Sequence, residues 1–329
     1  MIDGKANRKI DIENRHEPMG MTKQKIIPYV GLPLVIIFLG GAVQIFRPDF
    51  LSASNLQNIV RQGGPLAFVA IGQAFVIIAG GLDISVGSIM GIVSVTAAIS
   101  GLKWGLAAGI LCGLAVGIIC GTFNGVIVAW FRVPALIVTL GMLSIARGMA
   151  LTVTDGMTMD VPTGFSYIGW ANWGPFPVMA LVVILVFLIC FGILELTSFG
   201  RKIYATGANA EATRLSGISV AFHRFITFVL SGGLTALGAI ILTSRMNSGN
   251  PLTGVGFELG SIGAVVIGGV YIRGGEGSLL GVLMGVVFFT ALSNGLMLVG
   301  FSSYVRLMLE GVVFVLALCL NLLLYRQRD

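Results

Sequence analysis

Apolar residues run along this chain in long uninterrupted stretches separated by short polar clusters, with no sustained alternation at every second position. Stretches of about 18 or more apolar residues read as membrane-spanning helices, whereas lipid-facing barrel strands would alternate. The pattern predicts about ten spans: Ile26 to Ile45, Ile59 to Ala79, Ile84 to Gly101, Trp104 to Phe131, Pro134 to Val153, Phe176 to Leu196, Phe222 to Leu242, Phe257 to Tyr271, Leu279 to Val299 and Tyr304 to Tyr325. The eighth is short and glycine-rich, so a tilted, broken or partly re-entrant course is expected. Residues 1–25 are polar and mixed in sign, which reads as a flexible cytoplasmic tail. Residues 26–329 form the membrane domain.

The polar punctuation carries the first candidate chemistry. Asp83 is the only acidic residue between Asp49 and Asp155, and it lies in Gly80-Gly-Leu-Asp-Ile-Ser-Val-Gly-Ser88, where two apolar runs meet. A carboxylate at membrane depth is costly unless it reaches water or a partner, so it marks a functional position. The structural alternative is a cap on a helix starting at Ile84, with the carboxylate on the free amides of Ile84 to Gly87. The two roles are compatible, because broken backbone at membrane depth survives where it is buried in protein or lines a wet cavity.

Composition agrees with the pattern: 56% of the 329 residues are apolar, 10% are charged, and the mean hydropathy is +0.97. The net charge of +6 is a topology signal. With ten spans and both termini in the cytoplasm, fourteen Lys and Arg fall on the cytoplasmic side and four (Arg47, Lys103, Arg245, Arg306) on the other. Arg61 and Arg147 fall inside spans. No basic stripe with interleaved aromatics suggests nucleic acid as a partner. Cys112, Cys120, Cys190 and Cys319 lie in apolar runs without paired spacing, and His16 and His223 are the only histidines. Neither a metal site nor an intramembrane hydrolase has material here, so no catalytic residue and no metal ligand are predicted.

Glycine, at 47 residues, is about twice its usual share. It recurs at every fourth position from Gly101 through Gly109, Gly113, Gly117 and Gly121 to Gly125, a row that lets another helix backbone approach closely. A packing role is expected for it, with Asn124 near its inner end able to face a path. A weaker echo at an offset of 194 pairs Gly80, Gly81, Gly87 and Gly91 with Gly274, Gly275, Gly281 and Gly285. The longest polar segment on the cytoplasmic side, within residues 197–222, contains Asn209, which can cap a helix from Ala210 to Ser216 that Gly217 would end. That helix would show Glu211 and Arg214 beside Leu215 and Ile218, a surface suited to docking a soluble partner.

Four stretches carry a resemblance: residues 80–88, Ala208-Asn-Ala-Glu-Ala-Thr-Arg-Leu-Ser-Gly-Ile218, Gly256-Phe-Glu-Leu259 and Gly268-Gly-Val-Tyr-Ile-Arg-Gly-Gly-Glu-Gly-Ser278. They resemble the permease subunits of bacterial sugar ABC importers, the ribose, xylose, arabinose and galactose group, with the ribose type nearest. Gly260 stands where the ribose pattern usually carries Asp, and Glu310 where it carries an apolar or small residue.

The resemblance implies an all-α, polytopic, vitamin B12 permease-like fold (a type II ABC importer) in the bacterial inner membrane, and a dimer with a second copy or paralogue. It also implies a separate cytoplasmic ATPase and a periplasmic sugar-binding protein. The chain has no P-loop, since its one Gly-Lys pair is Gly4-Lys5. No cofactor is therefore expected in this chain, ATP and Mg being held by the ATPase partner. Asn209, Glu211, Arg214, Leu215, Gly217 and Ile218 are expected to couple to that ATPase. Asp83, Ser85, Asn124 and Glu258 are expected along the translocation path, and the outer stretches Arg47 to Asn58, Thr154 to Gly174 and Ser244 to Gly256 to receive the binding protein. The rival reading is a secondary sugar transporter driven by protons or sodium, with Asp83, Glu258 or Glu310 as carriers.

Overall fold

The computed structural model describes residues 31–174 and 176–325. The expected tail, 1–25, and the start of the first span lie outside the described residues. The chain folds as helices α1 (Leu32–Phe46), α2 (Ala53–Ile78), α3 (Val86–Trp104), α4 (Leu106–Trp130) and α5 (Ala135–Thr154), then a short α6 (Tyr167–Trp170). A two-residue-per-strand hairpin, β1 (Asn172–Trp173) antiparallel to β2 (Phe176–Pro177), leads into α7 (Val178–Phe191), whose last turn widens to a π-helix at Gly192–Leu196. There follow α8 (Ser198–Ala208), α9 (Ala210–Leu215), α10 (Val220–Met246), α11 (Phe257–Ile267), α12 (Leu279–Val299) and α13 (Ser303–Tyr325). Among the described residues, eight helices are long and apolar enough to cross a membrane, and α1 and α11 are apolar but shorter.

Helix α10 is the axis of the bundle, packing against α2, α3 and α4, while α12 and α11 pack on each other and on α2. Burial follows this order: 89% of the apolar window of α2 is buried against 6% of that of α13, so α13 is peripheral. The inner helices start on capping hydroxyls that satisfy otherwise free amides: Ser52 accepts from Asn55 N (3.3 Å) and Ser219 from Phe222 N (3.3 Å).

The glycine row does not belong to one helix. Gly101 closes α3, Gly105 turns the chain with φ +92, and only Gly109 onwards lies in α4. The period continues through the joint because the two helices fold back face to face: a Cβ on Gly109 would lie 3.0 Å from Gly101 Cα. Lower down the row meets α10, where a Cβ on Gly117 would sit 2.6 Å from the Gly232 carbonyl oxygen. Gly121 faces the same stretch, against Phe228 and Gly232, whereas Gly113 meets only side chains, Ala97 and Val93 at 3.2 and 3.4 Å.

Two breaks shape the interior. After α2 ends at Ile78 the chain runs without helix to Ser85, so α3 starts two residues later than the pattern at Ile84 suggested. The second break corrects the reading of Ser244 to Gly256 as an outer loop. Past Met246 the chain turns inward and descends along α3: Gly249 lies against Ala98 and Ser94, Pro251 against Gly91, and Gly254 against Gly87 and Met90. From Ala98 to Gly87 is about 17 Å of helix at 1.5 Å per residue. The descent fits because Gly87, Gly91, Ser94 and Ala98 form a row of small residues one turn apart, and Ser94 Oγ takes the amide of Asn250 (3.1 Å) and the hydroxyl of Thr253 (3.2 Å). Helix α11 therefore starts at depth, which is why its run reads as too short to span.

Candidate functional site

The two breaks bring their polar residues to the same depth. Asp83 has no accessible surface; its Oδ1 accepts from the backbone amide (3.0 Å) and the hydroxyl (2.6 Å) of Ser85, and its Oδ2 from Ser231 on α10 at 3.4 Å. The bonds organise the turn before α3, so the capping expectation holds at Ser85 alone and not across Ile84 to Gly87. Asn124, also buried, donates from Nδ2 to Ser85 Oγ at 3.0 Å, while its Oδ1 has no partner among the described residues. Gln73 of α2 closes a ring on the Asp83 main chain, with its amide donating to the carbonyl (3.0 Å) and its oxygen accepting the N–H (3.2 Å). Thr139 of α5 holds the Leu82 carbonyl at 3.3 Å.

Glu258 stands in the first turn of α11, half-buried, directly against the main chain of Gly87. A Cβ at Gly87 would collide with it and, at 2.5 Å, with the Gly254 main-chain carbonyl, which cannot move aside, so glycine is required there. Its Oε2 is shielded and has no hydrogen-bond partner among the described residues. Arg147 enters the same corner from α5, donating to the Pro251 carbonyl and, at 3.2 Å, to the Gly87 carbonyl. The structure thus gathers Asp83, Ser85 and Asn124 into one network and sets Glu258 two residues of α3 away, beside Gly87. Gln73 and Ser231 are members the sequence reading passed over, and Arg147, noted only as lying inside a span, joins them. Polar residues at helical spacing inside apolar runs, such as Gln73 in α2, were the available signal.

A cavity of about 1040 Å³ opens at the basic end of the bundle, where α2, α4 and α5 meet α9 and α10. Gly80, Gly81 and Leu82 line it, but Asp83, Ser85, Asn124 and Glu258 do not. The network lies behind the cavity wall.

On the same end, Thr197 caps α8, accepting from Gly200 N (3.3 Å), and Asn209 caps α9, accepting from Ala212 N (2.9 Å). The polar segment is thus two helices where the sequence suggested one, and Gly217, at φ +78, ends the second. Buried Thr213 ties them together by donating to the Ala205 and Asn209 carbonyls, both at 2.8 Å. Outward, Arg214 grips Glu211 with two bonds (3.1 and 2.5 Å), holding the Glu211 carboxyl below its usual range. Leu215 stands exposed beside this pair, and Ile218 faces the cavity.

Close main-chain contacts link this hairpin to the first break, beside the Tyr204 hydroxyl, which donates to the Gly277 carbonyl at 2.9 Å. Gly275 N donates to the Ile78 carbonyl at 2.9 Å, a Cβ on Gly274 would lie 2.9 Å from Gly80 Cα, and one on Gly207 would lie 2.6 Å from Gly275 N. The two halves of the glycine echo, Gly80 and Gly274, therefore touch, both at positive φ (+81 and +93).

At the opposite end, the segments around residues 159, 172 and 249 are clasped together. Met159 and Gly249 exchange two backbone bonds (2.7 and 2.8 Å), and Arg61 of α2 donates to Asn172 Oδ1 (2.6 Å) while lying over the Trp170 ring.

Helices broken at depth within an apolar bundle, with a capped polar hairpin on the basic face, are the build of a multi-pass membrane permease. The chain belongs to the permease family described as the branched-chain amino acid transport system / permease component, whose family model matches residues 55–318. It is 38% identical to the ribose import permease protein RbsC of Bacillus subtilis (strain 168) over 304 residues, 91% of this chain and 92% of that one. It is 39% identical to the probable ABC transporter permease protein YphD of Escherichia coli K12, over 91% of this chain and 90% of that one. The L-arabinose transport system permease protein AraH of the same strain is 35% identical, over 91% of each chain. No solved structure matches the chain.

Proposed function

We propose that the chain is the transmembrane subunit of an ATP-driven, binding-protein-dependent importer of a monosaccharide, a ribose-like pentose or related sugar. The observation that carries this reading is end-to-end similarity to import permeases whose names state ribose and L-arabinose. In this reading the chain crosses the inner membrane ten times in a vitamin B12 permease-like arrangement, with both termini in the cytoplasm, and pairs with a second permease. ATP and Mg are bound by a separate ATPase that seats on α9 through Glu211, Arg214 and Leu215. A periplasmic binding protein delivers sugar to the clasped segments around Arg61, Met159 and Asn172.

The transported sugar passes without chemical change, so the chain supplies no catalytic group. Closure of the ATPase dimer pulls α8 and α9, and the glycine contacts pass that displacement to the break before α3 and so to the Asp83 network. Few strongly polar lining groups are needed, because a tight site would slow release.

Reconstitution tests the proposal. Proteoliposomes holding this chain, its ATPase and its binding protein are expected to accumulate radiolabelled pentose with ATP, and to do nothing when either partner is omitted. Accumulation by the chain alone under a proton or sodium gradient would overturn it.

A further inference from the structure

Apart from the α9 residues Glu211 and Arg214, the cavity at the basic end has a composition that neither sugar passage nor ATPase docking requires. Its polar lining includes Arg132, Arg214, Arg224 and Arg273, with Glu211 as the one carboxylate, and that carboxylate is already engaged by Arg214. Its walls are apolar, formed in part by Val128, Leu136, Phe228 and Ile272. A ligand that satisfies both surfaces carries a negative head and an apolar tail.

The depth of the mouth points the same way. Helix α4 ends at Trp130, and Trp130 and Phe131 are 54% and 73% exposed, immediately before Arg132. Phe222 is exposed at the start of α10, two residues before Arg224. An exposed Trp at the end of an apolar helix, here Trp130, marks the level of lipid headgroups, and a basic pocket between helices at that level suits a phosphate headgroup. Arg132 adopts φ +57, which turns the chain sharply between α4 and α5 where that residue lines the cavity. Arg224 is anchored from the other side, its Nε donating to the Ala79 carbonyl at 3.3 Å.

We propose that this cavity binds the headgroup of an anionic phospholipid, with the phosphodiester held by Arg132 and Arg224 and an acyl chain lying along the apolar wall. The site is a property of the isolated chain and does not depend on which solute the transporter carries.

Native mass spectrometry of the purified full-length chain tests it, with phosphatidylglycerol and phosphatidylcholine of matched acyl chains added in equal amounts. Preferential retention of phosphatidylglycerol is expected. Arg132→Gln, an exposed change, should lower that retention about fivefold, and Arg132→Gln with Arg224→Gln by on the order of thirtyfold, since each Lys or Arg near the headgroups favours anionic lipid by roughly that factor. Arg201→Gln on α8, exposed and outside the cavity, should leave it unchanged. Equal retention of the two lipids, or wild-type retention in the single variant, overturns the proposal. Displacement of phosphatidylglycerol by excess inorganic phosphate also overturns it and assigns the cavity to free phosphate. Because neither ATPase nor sugar is present, a failure here leaves the transport reading standing, and the reverse.

Discussion

Asp83 spends its carboxylate on local structure. Its Oδ1 serves two donors of Ser85, and no described residue forms an ion pair with it. What the site needs is an acceptor. Asp83→Asn is therefore expected to retain folded yield and most ATP-dependent uptake, because the amide oxygen can replace Oδ1. Asp83→Leu strands buried donors at roughly 1–3 kcal/mol each, so both thermal midpoint and uptake should fall. Loss of accumulation with intact downhill exchange in the Asn variant would instead assign Asp83 to proton coupling. Glu258 differs, since its buried Oε2 is unsatisfied and faces the Gly87 corner. Glu258→Gln should leave folding unchanged if a passing hydroxyl is the oxygen's partner, and a raised half-saturation for uptake would register that role.

Helix against helix, the contacts are graded by what each glycine meets. At Gly117 the neighbour is the Gly232 main chain, which has no rotamer to move, so Gly117→Leu should overpack the α4–α10 contact by about 1–3 kcal/mol or more and cut monodisperse yield in detergent. Gly113 meets no main chain, only Ala97, Val93 and Ile240 at 3.2 to 3.5 Å, so Gly113→Ala should cost less than Gly117→Leu in the same assay. The docking hairpin allows a cleaner exchange. Glu211→Arg with Arg214→Glu rebuilds the intrahelical pair with its charges reversed, at a few tenths of a kcal/mol in helix-dipole cost. Normal yield with lost sugar-stimulated ATP hydrolysis is expected, and unchanged hydrolysis would remove α9 from the coupling role. The apolar runs revealed nearly every long helix, because lipid demands apolar length whatever the tertiary contacts. They did not reveal the descent of residues 249–256, since Asn250, Pro251, Thr253 and Gly254 have the composition of a surface turn. Only the facing row of small residues on α3, on another part of the chain, makes room for them.

At the scale of the whole molecule, stacked glycine turns join the basic face to the break beside the buried network, and on the proposed function they carry the coupling between the two. Gly275→Ala forces a Cβ to within 2.5 Å of Ala208 Cα at φ +80, so it should separate the hairpin from the break. The ATPase is expected to bind this variant normally, as read by co-purification, while ATP hydrolysis no longer responds to sugar. Retained stimulation would mean that the signal travels elsewhere. The same contact has a consequence for how such proteins diverge. Main chain touching main chain reads no side-chain identity, so on the proposed function residues 197–218 can drift with an ATPase while the interior drifts with its solute, the two constraining each other at the glycines, at Ile203 in the shared core and at Tyr204, which donates to the Gly277 carbonyl. The hairpin is in that sense a cassette: transplanted into a relative that keeps the glycine turns, it should carry its ATPase preference with it and leave the recipient's choice of sugar intact.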